Sequence, residues 1–202
     1  MSVYTTVSRQ QLQQFLSQYP LGSLIEFSGI QAGIENSNYR ITTTAGKFIL
    51  TIFETLTITE LPCYLSLLTH LDQRGFPSPN PQQGNDNGFI FSLNKKPAVL
   101  FKLLSGASIE KPSIPQCTEM GVYLAKLHLY AATSGFYKEN SMNVSGCQSM
   151  FESIKLRLAD SDIALLRDEL NFQLNINLPE LPKGVIHADL FKDNVLCEQE
   201  SI

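Results

Sequence analysis

One change of periodicity, near residue 105, constrains this chain more than any other feature. Up to that point apolar residues alternate or come in short runs of strand length. Leu24 to Phe27 reads as a strand, and Tyr39-Arg-Ile-Thr-Thr43 alternates as a half-buried strand does. Phe48 to Phe53 reads as a more buried one, and Gly88 to Leu93 and Ala98 to Leu104 as two more. Two helices interrupt them. Residues 8–19 place Leu12, Phe15, Leu16 and Tyr19 on one face behind a capping Ser8. Thr57-Ile-Thr-Glu60 has the form of a capping box before Leu61, Leu65, Leu68 and Leu71. Beyond Ser105-Gly106-Ala107 the helical period takes over, with helices expected over 113–131, 148–159 and 162–175. In the first of these Cys117, Met120, Gly121, Leu124, Leu127, His128 and Ala131 form a stripe. Pro179 and Pro182 bracket the link that follows. The expectation is an α+β chain with a five-strand antiparallel sheet and two helices in residues 1–104, then a helical region over 105–202.

Composition narrows the classes. With 43% hydrophobic residues among 202, the chain can build a real core. A net charge of −4, with basic residues scattered, excludes a broad nucleic-acid footprint. No apolar run approaches the ~20 residues that span a bilayer, and Met1-Ser-Val-Tyr has no basic-then-apolar leader. Cys63, Cys117, Cys147 and Cys197 are far apart and form no metal-ligand spacing, so buried reduced thiols and a cytoplasmic location are expected.

Residues 184–196 carry the chemistry: Gly-Val-Ile-His-Ala-Asp-Leu-Phe-Lys-Asp-Asn-Val-Leu. His187-x-Asp189, with Asn194 five residues after the Asp, has the spacing of a kinase catalytic loop. In such a loop the Asp accepts the proton of an attacking hydroxyl and the Asn reaches the Mg²⁺ that holds the ATP phosphates. The Val-Ile and Val-Leu pairs on either side read as short buried strands pinning it. A first hairpin turn over 28–38 matches a loop that covers phosphates: Gly29 and Gly33 permit close approach, and Asn36, Ser37 and Asn38 offer donors. Other polar residues read as bland. His128, on the apolar stripe, is a packed histidine, and His70 an exposed one. Lys95 and Lys96 form a solvated hairpin turn, and Asp193 orders the loop.

Four stretches together resemble the aminoglycoside-phosphotransferase-like kinases, and within them the homoserine kinases of threonine biosynthesis. They are Gly-Ile-Glu-Asn-Ser-Asn-Tyr (33–39), Phe-Ile-Leu-Thr-Ile-Phe-Glu (48–54), Leu-Ala-Lys-Leu-His (124–128) and the 184–196 segment. The resemblance implies a protein-kinase-like two-lobe fold, with a sheet lobe over 1–104 and an incomplete helical lobe over 105–202. It implies ATP and Mg²⁺, and transfer of phosphate to the hydroxyl of L-homoserine by a monomer or homodimer. Under it Asp189 is the base, Asn194 a Mg²⁺ ligand, and His187 a support of the loop backbone. Gly33, Asn36, Ser37 and Asn38 cover the phosphates, while Phe101 and Leu103 bond adenine through main-chain groups. Thr51 stands where other kinases have a phosphate-pairing Lys, which leaves Glu60 without its usual ionic partner. The family's second metal-binding Asp is expected on a strand beyond Cys197. Its absence before Ile202 leads to the expectation of a truncated and impaired kinase. Two alternatives stay open: a choline- or aminoglycoside-type kinase of the same fold, and a non-catalytic nucleotide-binding or interaction module.

Overall fold

A computed structural model describes residues 4–31, 33, 35–176 and 182–198; Pro179 lies outside them. By its contacts the chain forms two units, Met1–Phe136 with Gly184–Ile202, and Tyr137–Lys183. The larger unit begins with helix α1 (Arg9–Leu16), shorter than the sequence period suggested. Ser8 and Gln11 close a reciprocal capping box at its start. Five strands follow: β1 (Leu24–Ile30), β2 (Ser37–Thr43), β3 (Gly46–Ile52), β4 (Phe91–Leu93) and β5 (Lys96–Lys102). They form one sheet in the order β1-β2-β3-β5-β4, antiparallel throughout. Helix α2 (Leu61–Asp72) lies between β3 and β4, and α3 (Ile114–Ala131) follows β5.

Both faces of this sheet are covered. Tyr39, Ile41, Phe48, Leu50, Ile52, Ala98 and Leu100 meet Leu12, Phe15 and Leu16 of α1. Val99 and Phe101 meet Leu65 of α2 on the other face. That explains why β5 reads as an unbroken apolar run rather than an alternation. Each wholly buried Leu or Ile contributes about 1.5–3 kcal/mol.

Several boundaries differ from those the sequence suggested. The fourth strand begins at Phe91 rather than Gly88, because Asp86-Asn87-Gly88 is a turn. Asp86 Oδ1 accepts the Gly88 amide at 2.9 Å and Asn87 has φ 64°. The β4–β5 hairpin turns on Asn94 and Lys95, φ 52° and 65°, both left-handed as a tight two-residue hairpin needs. The last strand accordingly runs from Lys96 to Lys102. At α2, Glu60 is itself the N-cap residue. Its carboxylate accepts from the amide and hydroxyl of Thr57, which is half of the expected box. Pro62 sits in the first turn, where its missing N–H costs little. The four cysteines are unpaired, yet Cys63 and Cys117 are exposed rather than buried.

In the smaller unit, α4 (Val144–Ile154) and α5 (Asp160–Asn175) are joined by a short 3₁₀ turn. Asn143 caps α4 through the Gly146 amide at 2.8 Å, starting it earlier than expected. Phe151 is buried on α4, whereas α5 leaves Leu165, Leu166, Phe172 and Leu174 exposed. No helix among the described residues is long and apolar enough to cross a membrane.

A polar cluster ties the chain's start to the sheet. Glu54 follows β3 with its side chain only 11% exposed, ion-paired with Lys96 of β5. Burial pushes its carboxyl up, but hydrogen bonds from Lys96, Ser37 and Thr5 and the Lys96 charge outweigh that and hold it below the usual Glu range. A depressed folded-state pKa stabilises the fold above the unfolded value, about 4.3, and that stabilisation fades as pH falls through the folded pKa. Thermal melts of wild type and Glu54→Gln should therefore differ most at neutral pH and converge as pH falls towards 3. A gap that stays constant with pH would contradict this.

Candidate active site

Among the described residues, Ala107 and Glu110 hold the segment after Gly184 to the rest of its unit. Ala107 and Cys197 exchange both main-chain hydrogen bonds, at 3.1 and 2.9 Å. Lys192 forms an ion pair with Glu110 and reaches its carbonyl at 3.4 Å. The first contact depends on Gly106, which has φ 92°. A Cβ there would lie 2.8 Å from the Cys197 carbonyl oxygen. The expected flanking strands are not present as a ladder. Val185 and Val195 are half-buried, and Ile186 and Leu196 are exposed. A β-ladder needs a partner strand, and bridge pairing falls on Cys197 and Glu198 instead.

Inside the loop, a 3₁₀ turn over Lys192–Asn194 brings Asn194 back onto Asp189. The Asn194 amide nitrogen donates to the Asp189 carbonyl at 2.8 Å and to its carboxylate Oδ2 at 3.0 Å. Both partners are acceptors only, so the amide orientation is determined and Asn194 Oδ1 is left for a cation. The same bonds fix one carboxylate oxygen of Asp189 and leave the other as a proton acceptor. His187 supports the turn, with Nδ1 accepting the Asp189 amide at 3.4 Å. Ala188 between them has φ 64°, a left-handed backbone that costs a non-glycine residue on the order of 1 kcal/mol. His187, Asp189 and Asn194 are all exposed.

The hairpin turn between β1 and β2 is the second component; Ala32 and Ile34 in it lie outside the described residues. Gly33 has φ 98°, and the Asn38 amide nitrogen lies 3.7 Å from where its Cβ would stand. Asn38 Oδ1 is paired with the Thr51 hydroxyl across the β2–β3 ladder at 2.8 Å. Asn36 Oδ1 accepts the Glu54 amide at 3.4 Å. Asn36 and Asn38 are therefore oriented with their oxygens on the protein and their N–H groups available to an anion. Ser37 differs from both: it is fully buried and bonded to Tyr4, Thr5 and Glu54.

At the end of β5, Phe101 is buried in the α2-side core. The Leu103 amide donates to the Lys47 carbonyl at 3.1 Å, so an adenine could take from Leu103 only its carbonyl. The two helical histidines exchange their expected roles. His128 is exposed, because the inward face of α3 runs through Gln116, Met120, Leu124, Leu127 and Ala131, one position away from it. His70 is the packed one, with Nε2 3.0 Å from the Tyr130 carbonyl and Nδ1 3.1 Å from Arg74, joining α2 to α3. Lys96, expected to be solvated, is bound to Glu54 because its side chain turns inward along β5. Glu54 itself escaped the sequence reading. A carboxylate directly after the apolar run Phe48–Phe53 was the signal, since a charge there must find a partner.

Residues 26–202 match the family model of the phosphotransferase enzyme family. The chain is similar to the homoserine kinase of Methylobacillus flagellatus, 39% identical over 100% of this chain and 63% of that protein. It is similar to the homoserine kinase of Paraburkholderia phymatum, 40% identical over 97% of this chain and 62% of that one. The chain thus spans about three fifths of the length of these curated relatives. Among solved structures, an amicoumacin kinase in complex with AMP-PNP and Ca²⁺ aligns with TM-score 0.73 at 15% identity, over 96% of this chain and 62% of that one. A spectinomycin phosphotransferase in complex with ADP aligns with TM-score 0.69 at 14% identity, over 97% and 67%. At such identities the likeness is one of fold, and the fold is kinase-like.

Gly106→Ala tests how the loop is held. A Cβ in that position forces apart Ala107 and Cys197, at a cost of about 1–3 kcal/mol. Amide hydrogen exchange should show faster exchange at Ala107 and Cys197 with protection in β2, β3 and β5 unchanged. Unaltered exchange at Cys197 would show that the bridge does not anchor the loop.

Proposed function

This chain belongs to the phosphotransferase enzyme family, and on that premise we propose that it serves ATP-dependent phosphorylation of the L-homoserine hydroxyl, giving O-phospho-L-homoserine. The observation that carries this reading is near-40% identity to homoserine kinases along the whole chain, active-site segment included. Asp189, with one carboxylate oxygen fixed by Asn194, takes the proton as the substrate oxygen attacks the γ-phosphorus. His187 keeps the loop turned so that this carboxylate stays exposed to substrate.

Phosphate oxygens are received by the main-chain N–H of Gly33 and by the amides of Asn36 and Asn38. Ser37 serves from beneath by holding the turn's root. The adenine lies against the end of β5, with Phe101 shaping the wall and the Leu103 carbonyl accepting its exocyclic amine. In this reading residues 1–104 are the sheet lobe, and the helical lobe begins at 105, directly after that segment. Asn194 Oδ1 is a hard oxygen donor, the type magnesium takes together with phosphates and water. A magnesium ion held there would neutralise charge on the phosphates. We place the reaction in the cytoplasm, where four unpaired thiols stay reduced.

A panel of homoserine, choline and an aminoglycoside, each with Mg·ATP, checks the reading through ADP release. Homoserine is expected to be the preferred acceptor, and Asp189→Asn to lower its turnover by about 10²–10⁴, the usual contribution of a positioned base. Faster turnover of either other acceptor would sink the assignment.

A further inference from the structure

Ser37 has no capacity left for a ligand. A serine hydroxyl donates once and accepts twice. Its proton goes to Glu54 Oε1 at 2.5 Å, and the amides of Tyr4 and Thr5 fill its acceptor positions, both at 2.8 Å. Placed between Asn36 and Asn38, it fastens the root of the hairpin turn to the chain's first described residues and to Glu54. Glu54 holds the same root a second time, through its amide to Asn36 Oδ1. Its other carboxylate oxygen takes Lys96, which also donates to Thr5 Oγ1 at 2.9 Å.

The N-terminal segment is itself secured from further points. Tyr39 Oη donates to the Thr5 carbonyl at 2.8 Å, and Asn94 Nδ2 to the Thr6 carbonyl at 3.0 Å. Residues 4–6 thus form a strap across β2 and β5, with Thr5 buried. A partly exposed ion pair adds about 0–1 kcal/mol to stability, so its presence calls for another reason. The hydrogen bonds supply one: they end on residues 36 and 37, beside the two amides aimed at the phosphates.

We propose that Glu54 and Lys96 are positioning residues which, with the strap Tyr4–Thr6, hold Asn36–Asn38 in the arrangement that receives a nucleoside triphosphate. This rests on the phosphotransferase reading. Neither residue touches the nucleotide; both act through Ser37 and Asn36. Losing either leaves Ser37 or Thr5 with a buried group unpaired, and the turn's root relaxes to recover the bond.

Calorimetric titration of the 202-residue chain with AMP-PNP and Mg²⁺ tests this, with circular dichroism confirming that each variant is folded at the temperature used. Ser37→Ala and Glu54→Gln are expected to raise the Kd at least about tenfold, or 1.4 kcal/mol. Lys96→Arg, which keeps the ion pair, should stay within about threefold of wild type, less than 0.7 kcal/mol. Arg9→Ala is the control for stability alone, since it removes two bonds between α1 and β1 away from the turn. It should lower Tm with the Kd unchanged. Should Ser37→Ala not fold, Lys96→Met carries the same expectation at a residue whose side chain is 38% exposed. Lower Tm with Kd within about twofold of wild type in Ser37→Ala and Glu54→Gln overturns the proposal, since such a cluster would be structural only. A wild-type chain that binds no AMP-PNP overturns the phosphotransferase reading itself.

Discussion

The double-sided burial of β5 is the constraint on which the larger unit depends. Ala98, Val99, Leu100 and Phe101 are all buried, alternately against α1 and α2. A strand covered on both faces cannot slip by one residue without exchanging two cores, so its register is fixed firmly. Through the β3 ladder that register fixes Thr51 opposite Val99, and through β2 it fixes Asn38 opposite Thr51. The polar turn at Gly33–Asn38 is therefore located by packing that lies some distance from any chemistry.

The Asp189 loop is secured in a different way. Its polar side chains are exposed, and among the described residues the Ala107–Cys197 bridge and the Lys192–Glu110 ion pair support it. Both reach the segment directly after β5, so the strand that ends at the proposed adenine position also leads to the loop's support. An exposed ion pair of this kind contributes about 0–1 kcal/mol, which leaves the bridge, and Gly106 beneath it, as the stronger attachment. Loop geometry here comes from main-chain bonds, with local strain at Ala188 tolerated between two residues of the proposed site.

Much of this was legible in the sequence because it rests on local rules. Alternation gave β2, and an apolar run gave β3 and β5. What was not legible depends on partners distant in sequence. Ser37 reads as a phosphate donor until Tyr4 and Thr5, over 30 residues away, occupy it. Lys96 reads as solvated until Glu54 is placed across the sheet. His70 and His128 sit on helices whose exposed and packed sides differ by about one residue's rotation, 100°, and only the α2–α3 contact decides between them. Strand starts failed where an Asx turn at Asp86 competed with β propensity.

Thr51 brings these threads together. A lysine at that position would bring a charge to the phosphates; a threonine instead brings a neutral hydroxyl, and the structure uses it on Asn38 Oδ1. Lys96 does not replace the missing cation, because Glu54 consumes its charge, and Lys192 is likewise engaged by Glu110. In the proposed function phosphate recognition therefore falls to dipoles, chiefly the side-chain amides of Asn36 and Asn38. Dipoles are effective only when they are aimed beforehand, since turning them at the moment of binding costs what they would contribute. A site that relies on aimed amides rather than on a mobile cation needs rigid supports behind those amides. The fully bonded Ser37 and the half-buried Glu54 answer that need, which gives a physical reason for a charged pair at this point of the sheet.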